Sequence, residues 1–443
     1  MPAVSTLPAY DHQNGWLEIL GPQPEPTVLT GELVVDHVVI GAGYGGLAVA
    51  RRLAELDPAA EIVLVEAGRI GNNAAGRCSG FIIDHAHNIR SKGFKEDTEN
   101  AKRQIALNRA GIDWLEEIVA ANSIECDWQR VGKTHAAGGQ KGARVLQGFA
   151  ESLDAIDEDY ETLDAEQLAA KFGTEFYQYG IHCPHSVIAQ PAQLVIGLAK
   201  TLPENVRVFE NSAVTDFELG PPHTLRTERG RLTTPSLVIA ANGFGESFGL
   251  FKNRLLPLIT WGSMTRPMTD AEVATLGGEP DYGIIPAHPA GTTVRRRPDN
   301  RILIRNQYTF SRNSDARTGM AKIVKVHEKS FRNRYPMLPD LDFEYSWGGA
   351  LSLSRNGAGV CGKVGAGLWS TMAYQGVGMA KGTISGKFLA EHMMGEGAAG
   401  ETDSLMDLVL GGPKPSRNFP DPFNRWGVAM NARWRRWQAG IEE

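Results

Sequence analysis

The feature that most constrains this chain is a short apolar run that ends in closely spaced glycines. Residues 34–46 read VVDHVVIGAGYGG, and the segment continues as LAVARRLAEL up to Asp57 and Pro58. The first part predicts a buried strand and a tight turn, and the apolar spacing of the second part predicts a helix. A second strand, residues 61–66 (EIVLVE), follows directly. This order of elements opens a Rossmann-type α/β fold.

The glycines in this turn, Gly41-x-Gly43-x-x-Gly46, each have a separate physical reason. Gly41 makes the tight turn, Gly43 lets the backbone approach a pyrophosphate, and Gly46 lets the helix lie close to the strand. Glu66 ends the second strand, where its carboxylate can accept hydrogen bonds from ribose hydroxyls and would repel a 2′-phosphate. Glycine spacing alone is a weak signal. With strand, helix, second strand and acidic end in order, it predicts a dinucleotide site.

Length and charge exclude several classes of protein. A chain of 443 residues is long enough for two domains. The formal net charge is -6 and the densest basic run, 295–297, is three residues long, so we expect no nucleic-acid partner. The sequence has no apolar run long enough for a membrane span, and MPAVSTLPAY does not resemble a signal peptide. We therefore expect a cytoplasmic protein.

The cysteines and histidines do not predict a metal site. The four cysteines, Cys78, Cys126, Cys183 and Cys361, are far apart and form no CxxC pair, which is typical of reduced thiols. Residues 182–185 read HCPH, but adjacent side chains cannot all face one ion, and the proline indicates a turn.

A stretch poor in side chains follows the second strand. Residues 67–81 read AGRIGNNAAGRCSGF, with four glycines and three alanines. GxGxxG, an acidic strand end and such a loop, in this order, resemble the FAD-dependent glycine/D-amino-acid oxidase family, and within it the bacterial amine and γ-glutamylputrescine oxidoreductases. The resemblance implies that residues 72–80 wrap the pyrophosphate and the inner edge of the flavin, where side chains would collide with the cofactor. Relatives often have Asn-Gly-Gly where this chain has Cys78-Ser79-Gly80.

The resemblance covers residues 30–395. It places Val214 of VRVFENSAVTDFE at the adenine, the end of SLVIAANGFGE near the phosphates, and AYQGVGMAKG under the pyrimidine end of the flavin. The residues that it implies at the cofactor are Gly41, Ala42, Gly43, Tyr44, Gly45, Gly46, Glu66, Ala67, Asn73, Ala74, Ala75, Arg77, Cys78, Ser79, Val214, Ala241, Gly243, Gly376, Val377, Gly378, Met379 and Ala380. The resemblance implies non-covalent FAD, because relatives with covalent flavin use a cysteine in the strand before the last flavin segment or a histidine in the loop. Here the matching position is near Gly349 and the loop lacks histidine, so Cys78 and Cys361 are the residues to suspect otherwise.

The matched segments predict a discontinuous cofactor domain and a second domain of antiparallel sheet and helices. The predicted units are an N-terminal arm at 1–29, an FAD-binding domain at 30–90, 185–260 and 345–395, a substrate domain at 91–184 and 261–344, and a tail at 396–443. GTTVRRRPDNRILIRNQ predicts two paired strands joined by a turn. Residues 97–122 and 315–333 are predicted to be helical.

The implied chemistry is the oxidation of a C–N bond in an amine or amino acid, with hydride transfer to flavin N5. Oxygen, a quinone or a protein would accept the electrons. The residues proposed to contact a substrate, which could carry a carboxylate or sulfonate, are Arg295, Tyr374, Tyr308 and Arg77, whereas Arg296 or Arg297 is expected to point to solvent. Two alternatives stay open: oxidation of a hydroxy acid, which requires a basic histidine beside the flavin, and nucleotide binding without catalysis.

The tail lies outside the resemblance. GGPKPSRNFPDPF predicts irregular structure, and Trp426, Met430, Trp434 and Trp437 have helical spacing, so one helix face is aromatic. We expect this face to be buried, either on the chain's own second domain or in an interface with another subunit or an electron-accepting partner.

Overall fold

The computed structural model describes residues 2–10, 13–85, 97–311, 319–395, 401–420 and 422–443. The strands within these ranges are β1 Gly31–Val34, β2 His37–Ile40, β3 Ile62–Val65, β4 Phe81–Ile82, β5 Lys133–Ala137, β6 Glu161–Asp164, β7 Tyr179–Cys183, β8 Val187–Ile188, β9 Val206–Phe209, β10 Asp216–Glu218, β11 His223–Arg226, β12 Gly230–Thr234, β13 Ser236–Ile239, β14 Leu255–Thr265, β15 Tyr282–Pro286, β16 Thr293–Arg296, β17 Ile302–Phe310, β18 Phe343–Ser354, β19 Val360–Gly365 and β20 Leu368–Met372.

The α-helices of the same ranges are α1 Gly15–Glu18, α2 Tyr44–Leu56, α3 Thr98–Ala121, α4 Gln140–Asp154, α5 Ala165–Phe172, α6 Pro191–Lys200, α7 Asp270–Leu276, α8 Met320–Arg334, α9 Gly378–Met393, α10 Glu401–Leu410 and α11 Phe423–Ala439. Helix α3 agrees with the predicted helix at 97–122. Helix α8 covers most of the one predicted at 315–333, and residues 315–318 lie outside the described residues.

A six-stranded sheet contains the predicted strand–turn–helix unit. Its order is β19-β20-β13-β2-β3-β9, and β2 pairs in parallel with both β3 and β13. The carboxyl ends of these parallel strands therefore meet at one edge, where a doubly wound fold binds its ligand. Helix α2 crosses over this sheet beside α9, and a Cβ added at Gly386 would lie 2.4 Å from the Gly45 carbonyl oxygen. A side chain there would push the two helices apart.

The second large sheet has eight strands in the order β18-β14-β17-β16-β15-β5-β7-β6. The segment GTTVRRRPDNRILIRNQ forms the antiparallel pair β16 and β17, with Val294 opposite Ile304, as predicted. Strands β14 and β18 pair along most of their length although they extend across the predicted domain boundaries. The division into domains stays a prediction, and the α/β fold class is confirmed.

The expectation that Arg296 or Arg297 points to solvent is wrong. Arg295, Arg296 and Arg297 have 0%, 2% and 5% of their surface exposed. Strand β16 lies inside the sheet, and residues of α5 and α8 pack with Val294 on its outer side. Because both faces of β16 are covered, strand alternation cannot bring Arg295 or Arg296 to the surface. Arg297, which follows the strand, pairs with Asp127 and Asp299.

The expectation that the aromatic face of the tail is buried on the chain's own second domain is also wrong. Helix α11 forms, but Trp426, Met430, Trp434 and Trp437 are 58%, 72%, 56% and 77% exposed. The helix packs on β17 through its opposite face, where Ala432 and Ala439 are buried. No helix among the described residues has the length and apolar character needed to cross a membrane.

Candidate active site

The turn after β2 lines a cavity between the two large sheets. Gly41 has φ +101, a conformation that favours glycine, and a Cβ added at Gly46 would lie 1.9 Å from the Gly41 carbonyl oxygen. Gly43 precedes α2 as its N-cap without any capping side chain. The first backbone N–H groups of α2 are therefore left for a ligand, and a helix N-terminus of this kind binds phosphate.

Glu66 connects the turn with the small-residue loop. One carboxylate oxygen accepts hydrogen bonds from the Ala42 backbone nitrogen at 2.9 Å and from Asn73 Nδ2 at 3.3 Å. The other oxygen accepts from the Gly68 nitrogen at 3.2 Å. The side chain is buried and lines the cavity. Its position at the end of β3 is the one from which a ribose would be contacted.

The loop itself is held by the N-terminal arm. Asn14 Nδ2 donates to the carbonyl oxygens of Gly71 and Gly76, both at 2.9 Å. Trp16 Nε1 donates to the Cys78 carbonyl at 2.7 Å. These contacts fix the loop backbone where it lines the cavity.

Arg77 lines the cavity, but its guanidinium bonds to the protein. Nε donates to the Asn72 carbonyl at 2.8 Å, Nη2 donates to Asn72 Oδ1 at 2.7 Å, and Nη1 donates to the Gly348 carbonyl at 3.1 Å. The ring of Tyr10 covers it at 4.2 Å. Arg77 thus joins the loop to β18, and its proposed contact with substrate stays a prediction.

The start of α9 forms another part of the cavity. Gly376, Gly378 and Met379 line it, and the N-cap Val377 offers no capping side chain. Tyr374 also lines the cavity, but its hydroxyl pairs with Thr371 Oγ1 at 3.0 Å and lies where a Cβ on Gly45 would be. Burial raises the pKa of Tyr374 well above its usual value. The side chain fills the space between the two helices.

Most of the residues expected at the cofactor line this cavity, namely Gly41, Gly43, Tyr44, Gly45, Glu66, Ala67, Asn73, Ala74, Ala75, Arg77, Cys78, Ser79, Val214, Ala241, Gly243, Gly376, Gly378 and Met379. Ala42, Gly46, Val377 and Ala380 are not among the lining residues. Two uncapped helix N-termini, an acidic strand end and a bare loop fit a dinucleotide that extends into a planar ring system. The contacts of each residue with FAD stay predictions.

The eight-stranded sheet forms the opposite wall, which we call the roof. The residues that it contributes are Thr260, Trp261, Gly262, Ile285, Thr293, Leu303, Arg305, Trp347, Gly349, Ala350, Leu351 and Ser352. Thr293 on β16 lies opposite Arg305 on β17. The roof therefore places one cation, Arg305, among mostly apolar and small side chains.

Arg305 is a residue that the sequence analysis missed. Its side chain is half-buried and has no hydrogen bond or ion pair with a residue in the described ranges, and burial lowers the pKa of its guanidinium. A cation that is partly withdrawn from water without a partner is costly, and an anionic ligand would relieve that cost. The signal available in the sequence was strand alternation from Thr293 and Leu303, but Arg295 and Arg301 fit that pattern too.

Arg295 and Tyr308, the other proposed substrate contacts, do not line the cavity. Arg295 Nη1 donates to the Ala189 carbonyl behind the lining, and its guanidinium lies 5.3 Å from the Trp16 ring. Burial raises the pKa of Tyr308. The positive charges that oppose this shift most are those of Arg435 and Arg436 on α11. Gln307, at φ 57, coincides with a register shift in the β14–β17 ladder. This bulge separates Tyr308 from the part of β17 that faces the cavity.

The N-terminal arm closes part of the cavity, a role that the sequence did not indicate. Val4, Thr6, Leu7, Pro8 and Tyr10 line it. The arm is fixed by the Val4 nitrogen, which donates to the Thr215 carbonyl at 2.8 Å. The Tyr10 hydroxyl is buried beside Ala350 without a hydrogen bond of good geometry to a described residue. Burial raises the pKa of Tyr10 to about 12.

A buried group near β5 has the composition of a metal site. Asp84, His85 and Glu158 have ligand atoms within 4.8 Å of one another. Cations already balance the carboxylates, because Arg109 contacts both Asp84 and Glu158 and Lys133 lies 3.2 Å from Asp84. Burial would raise the pKa of Asp84, but Lys133 and His85 hold it well below its usual range. We assign this cluster to ion pairing.

Comparisons with known proteins agree with this geometry. The chain is 24% identical to a probable oxidoreductase OrdL of Haemophilus influenzae, over 82% of this chain and 83% of that one. It is 25% identical to the γ-glutamylputrescine oxidoreductase of Escherichia coli, over 90% and 93%. The glycine oxidase of Geobacillus kaustophilus has a similar fold, with a TM-score of 0.71, 16% identity and coverage of 87% and 100%.

The iminodiacetate oxidase of Chelativorans sp. BNC1 also has this fold, with a TM-score of 0.66, 17% identity and coverage of 82% and 96%. The profile of the DAO family, described as FAD dependent oxidoreductase, matches residues 36–392. This chain therefore belongs to the DAO family and is an FAD-dependent oxidoreductase.

Proposed function

We propose that this chain oxidises the C–N bond of a small amine or amino acid that carries an anionic group, and that Arg305 binds this group. The observation that carries the proposal is the unpartnered guanidinium in the roof, opposite the small-residue loop. A carboxylate or sulfonate could accept two parallel hydrogen bonds from it. The names of the similar proteins support the same class, because they include γ-glutamylputrescine, glycine and iminodiacetate as substrates.

The roof orients the substrate and excludes water. When bound, FAD supplies the acceptor for a hydride at flavin N5. Arg305 fixes the anionic end, while Ile285 and Leu303 present apolar surface to the rest of the molecule. Such a desolvated pocket favours the neutral amine over the ammonium ion, and the neutral amine has the lone pair needed to form the C=N bond.

The reaction requires no catalytic acid or base from the chain. The C–H bond breaks and its electron pair leaves with the hydrogen as hydride, while the nitrogen lone pair forms the C=N bond. The N–H proton passes to water, and hydrolysis of the imine gives a carbonyl compound and the free amine or ammonia. The uncapped N-terminus of α9, which would hold the pyrimidine end of a bound flavin, would stabilise negative charge on the reduced cofactor.

Oxidation of a hydroxy acid is the second candidate. It requires a base that removes the hydroxyl proton as the hydride leaves. The cavity lining drawn from the described ranges contains no histidine, lysine or aspartate, and its one carboxylate, Glu66, already accepts three hydrogen bonds. This composition favours the amine.

Anaerobic reduction of the flavin tests the proposal directly. Purified enzyme is mixed with amines, amino acids and 2-hydroxy acids, each with and without a carboxylate, and flavin absorbance is followed. Bleaching by carboxylate-bearing amines is expected, and bleaching by hydroxy acids alone would contradict the proposal. The acceptor, which oxygen, a quinone or a protein could provide, is then identified by the rate at which each reoxidises the bleached enzyme.

The FAD is expected to be non-covalent. Cys78 lines the cavity, but burial raises the pKa of its thiol to about 11, so little thiolate is present to attack a flavin. Cys361 does not line the cavity, and burial raises its pKa to about 12. Acid precipitation should leave a colourless pellet and a yellow supernatant. A yellow pellet from wild type that becomes colourless in Cys78→Ser would show a covalent link.

A further inference from the structure

Exposed apolar surface in this protein is concentrated on the tail. Ten large apolar side chains are exposed in the described ranges, and seven of them lie between residues 419 and 441. The seven are Phe419, Phe423, Trp426, Met430, Trp434, Trp437 and Ile441. Single exposed apolar residues are normal on a soluble surface, but a contiguous group marks a binding surface. We call the outer side of α11, from Phe423 to Trp437, the aromatic face.

The folded structure holds the aromatic face outward. On the inner side of α11, Ala432 and Ala439 are buried, and Arg436 Nη1 donates to Gln307 Oε1 at 2.6 Å. Beyond the helix, the Glu442 carbonyl accepts from the Thr292 nitrogen at 2.8 Å and from Arg334 Nη2 at 2.7 Å. Because these contacts use the opposite side, the aromatic face is left without a partner from the described chain.

The same helix is strongly basic. It carries Arg425, Arg433, Arg435 and Arg436, and residues 423–439 contain no aspartate or glutamate. Arg425 and Arg433 are exposed, whereas Arg435 and Arg436 are half-buried. The chain as a whole has a formal charge of -6, so this helix is a local cationic region on an acidic protein.

We propose that the aromatic face of α11 docks on an anionic lipid surface, with the helix parallel to the membrane plane. Tryptophan is enriched at the boundary between lipid headgroups and acyl chains, where its ring is in an apolar region and its N–H is hydrated. Arginines on the flanks of such a helix bind anionic headgroups. Helices that lie in the membrane interface combine these two features.

A second copy of this chain is a less suitable occupant. In a two-fold dimer the same patch meets itself, so α11 would face its own copy. That arrangement would pair two helices that each carry four arginines and no acidic residue to balance them. An anionic lipid surface neutralises the arginines and buries the tryptophans together.

Vesicle sedimentation with the complete FAD-loaded enzyme tests this proposal. The probes are phosphatidylcholine vesicles and vesicles in which part of the lipid is phosphatidylserine, each at low and high salt. Binding is expected only to the anionic vesicles, and salt should weaken it. Flavin absorbance in the supernatant and pellet reports both the position of the protein and whether it is folded, and it requires no knowledge of the substrate.

Two variants separate the contributions of ring and charge. Trp434→Ala with Trp437→Ala should weaken binding to anionic vesicles at least about ten-fold, through loss of buried apolar surface. Arg425→Gln with Arg433→Gln should weaken it about 25-fold, because each basic residue near an anionic surface contributes roughly five-fold. Val34→Ser with Arg226→Gln changes an exposed apolar residue and an exposed arginine elsewhere, and should bind like wild type.

Three results would overturn the proposal. The first is wild-type enzyme that stays in the supernatant with anionic vesicles. The second is binding that the tryptophan variant retains in full. The third is light scattering that shows a dimer which Trp434→Ala with Trp437→Ala converts to a monomer, since the aromatic face would then be an interface between subunits.

Discussion

The two walls of the cavity are built in different ways. The floor, at the ends of β2, β3 and β13 and the starts of α2 and α9, presents glycines, alanines and backbone N–H groups. The roof, on the eight-stranded sheet, presents side chains whose direction depends on sheet register, and one of these is the unpartnered Arg305. Backbone recognition requires only small residues at fixed spacing, whereas side-chain recognition requires that each strand face the correct way. We therefore expect the floor to be more sensitive than the roof to an increase in side-chain size. We expect the roof to be more sensitive than the floor to a change in side-chain charge or polarity.

The largest effect is expected from a side chain added to the floor. Gly43→Val would direct two methyl groups from the turn between β2 and α2 toward the pyrophosphate position, so the purified protein should be colourless. Gly148→Val is a matched control, because no heavy atom lies within 4 Å of a Cβ added at Gly148 on α4. FAD content, measured by absorbance after denaturation, decides the outcome. A fully yellow Gly43→Val protein would show that the pyrophosphate lies elsewhere.

The next effect concerns the chemistry of the roof. Arg305→Gln should lower kcat/KM for carboxylate-bearing amines roughly 100-fold, since truncating one partner of a buried charged pair costs about 2–5 kcal/mol. FAD content should be unchanged. Thermal stability should not fall, because the guanidinium has no partner within the described chain.

The matched control for this variant is Arg301→Gln, since Arg301 precedes the same strand but pairs with Glu344 outside the cavity. It should leave kcat/KM unchanged. Equal losses in Arg305→Gln for substrates with and without an anionic group would mean that Arg305 does not bind that group.

A smaller effect tests whether acid loosens the roof. His327 on α8 is buried against Ser263 of β14 at 2.7 Å, and burial lowers its pKa from 6.5 to about 4. Between pH 6.5 and about pH 4, this histidine is therefore protonated in the unfolded chain but not in the folded chain. The free energy of unfolding consequently falls as the pH falls through this range. From pH 7 to pH 5 the loss from this residue is about 2 kcal/mol.

Denaturant unfolding at both pH values measures this loss. His327→Asn cannot titrate and should lose less stability between pH 7 and pH 5 than wild type, whereas the other histidines contribute equally to both proteins. An identical loss in the two proteins would show that His327 is not responsible.

The smallest effect links the N-terminal arm to the floor. The Tyr10 hydroxyl is buried at the cavity without a hydrogen bond of good geometry to a described residue. We therefore expect it to donate a hydrogen bond to bound FAD. Tyr10→Phe should raise the FAD dissociation constant roughly three- to ten-fold, the value of one hydrogen bond. Fluorescence titration of the apoprotein with FAD measures it, and Tyr160→Phe, which changes a tyrosine between α4 and β6 that does not line the cavity, serves as control. Equal affinity in Tyr10→Phe and wild type would leave the hydroxyl without a role in cofactor binding.

The sequence by itself determined the floor. Gly41, Gly43, Gly46 and Glu66 lie within one continuous strand–turn–helix–strand segment, and each glycine is required by local backbone geometry. The α/β class, the family and the FAD requirement followed from that segment and the bare loop after it. Local constraints of this kind are visible in a single stretch of sequence because the contacts that they serve are made by neighbouring residues.

Only the tertiary structure decided the roof and the two ends of the chain. Arg295, Arg301 and Arg305 are equivalent in the sequence pattern, and it is the position of β16 and β17 within the sheet, with a bulge at Gln307, that brings Arg305 alone to the cavity. Likewise, Tyr10 reaches the site from a segment without regular structure. The exposure of the α11 tryptophans depends on which side of that helix packs against the rest of the chain. Such choices rest on contacts between residues distant in sequence, and one-dimensional periodicity does not record them.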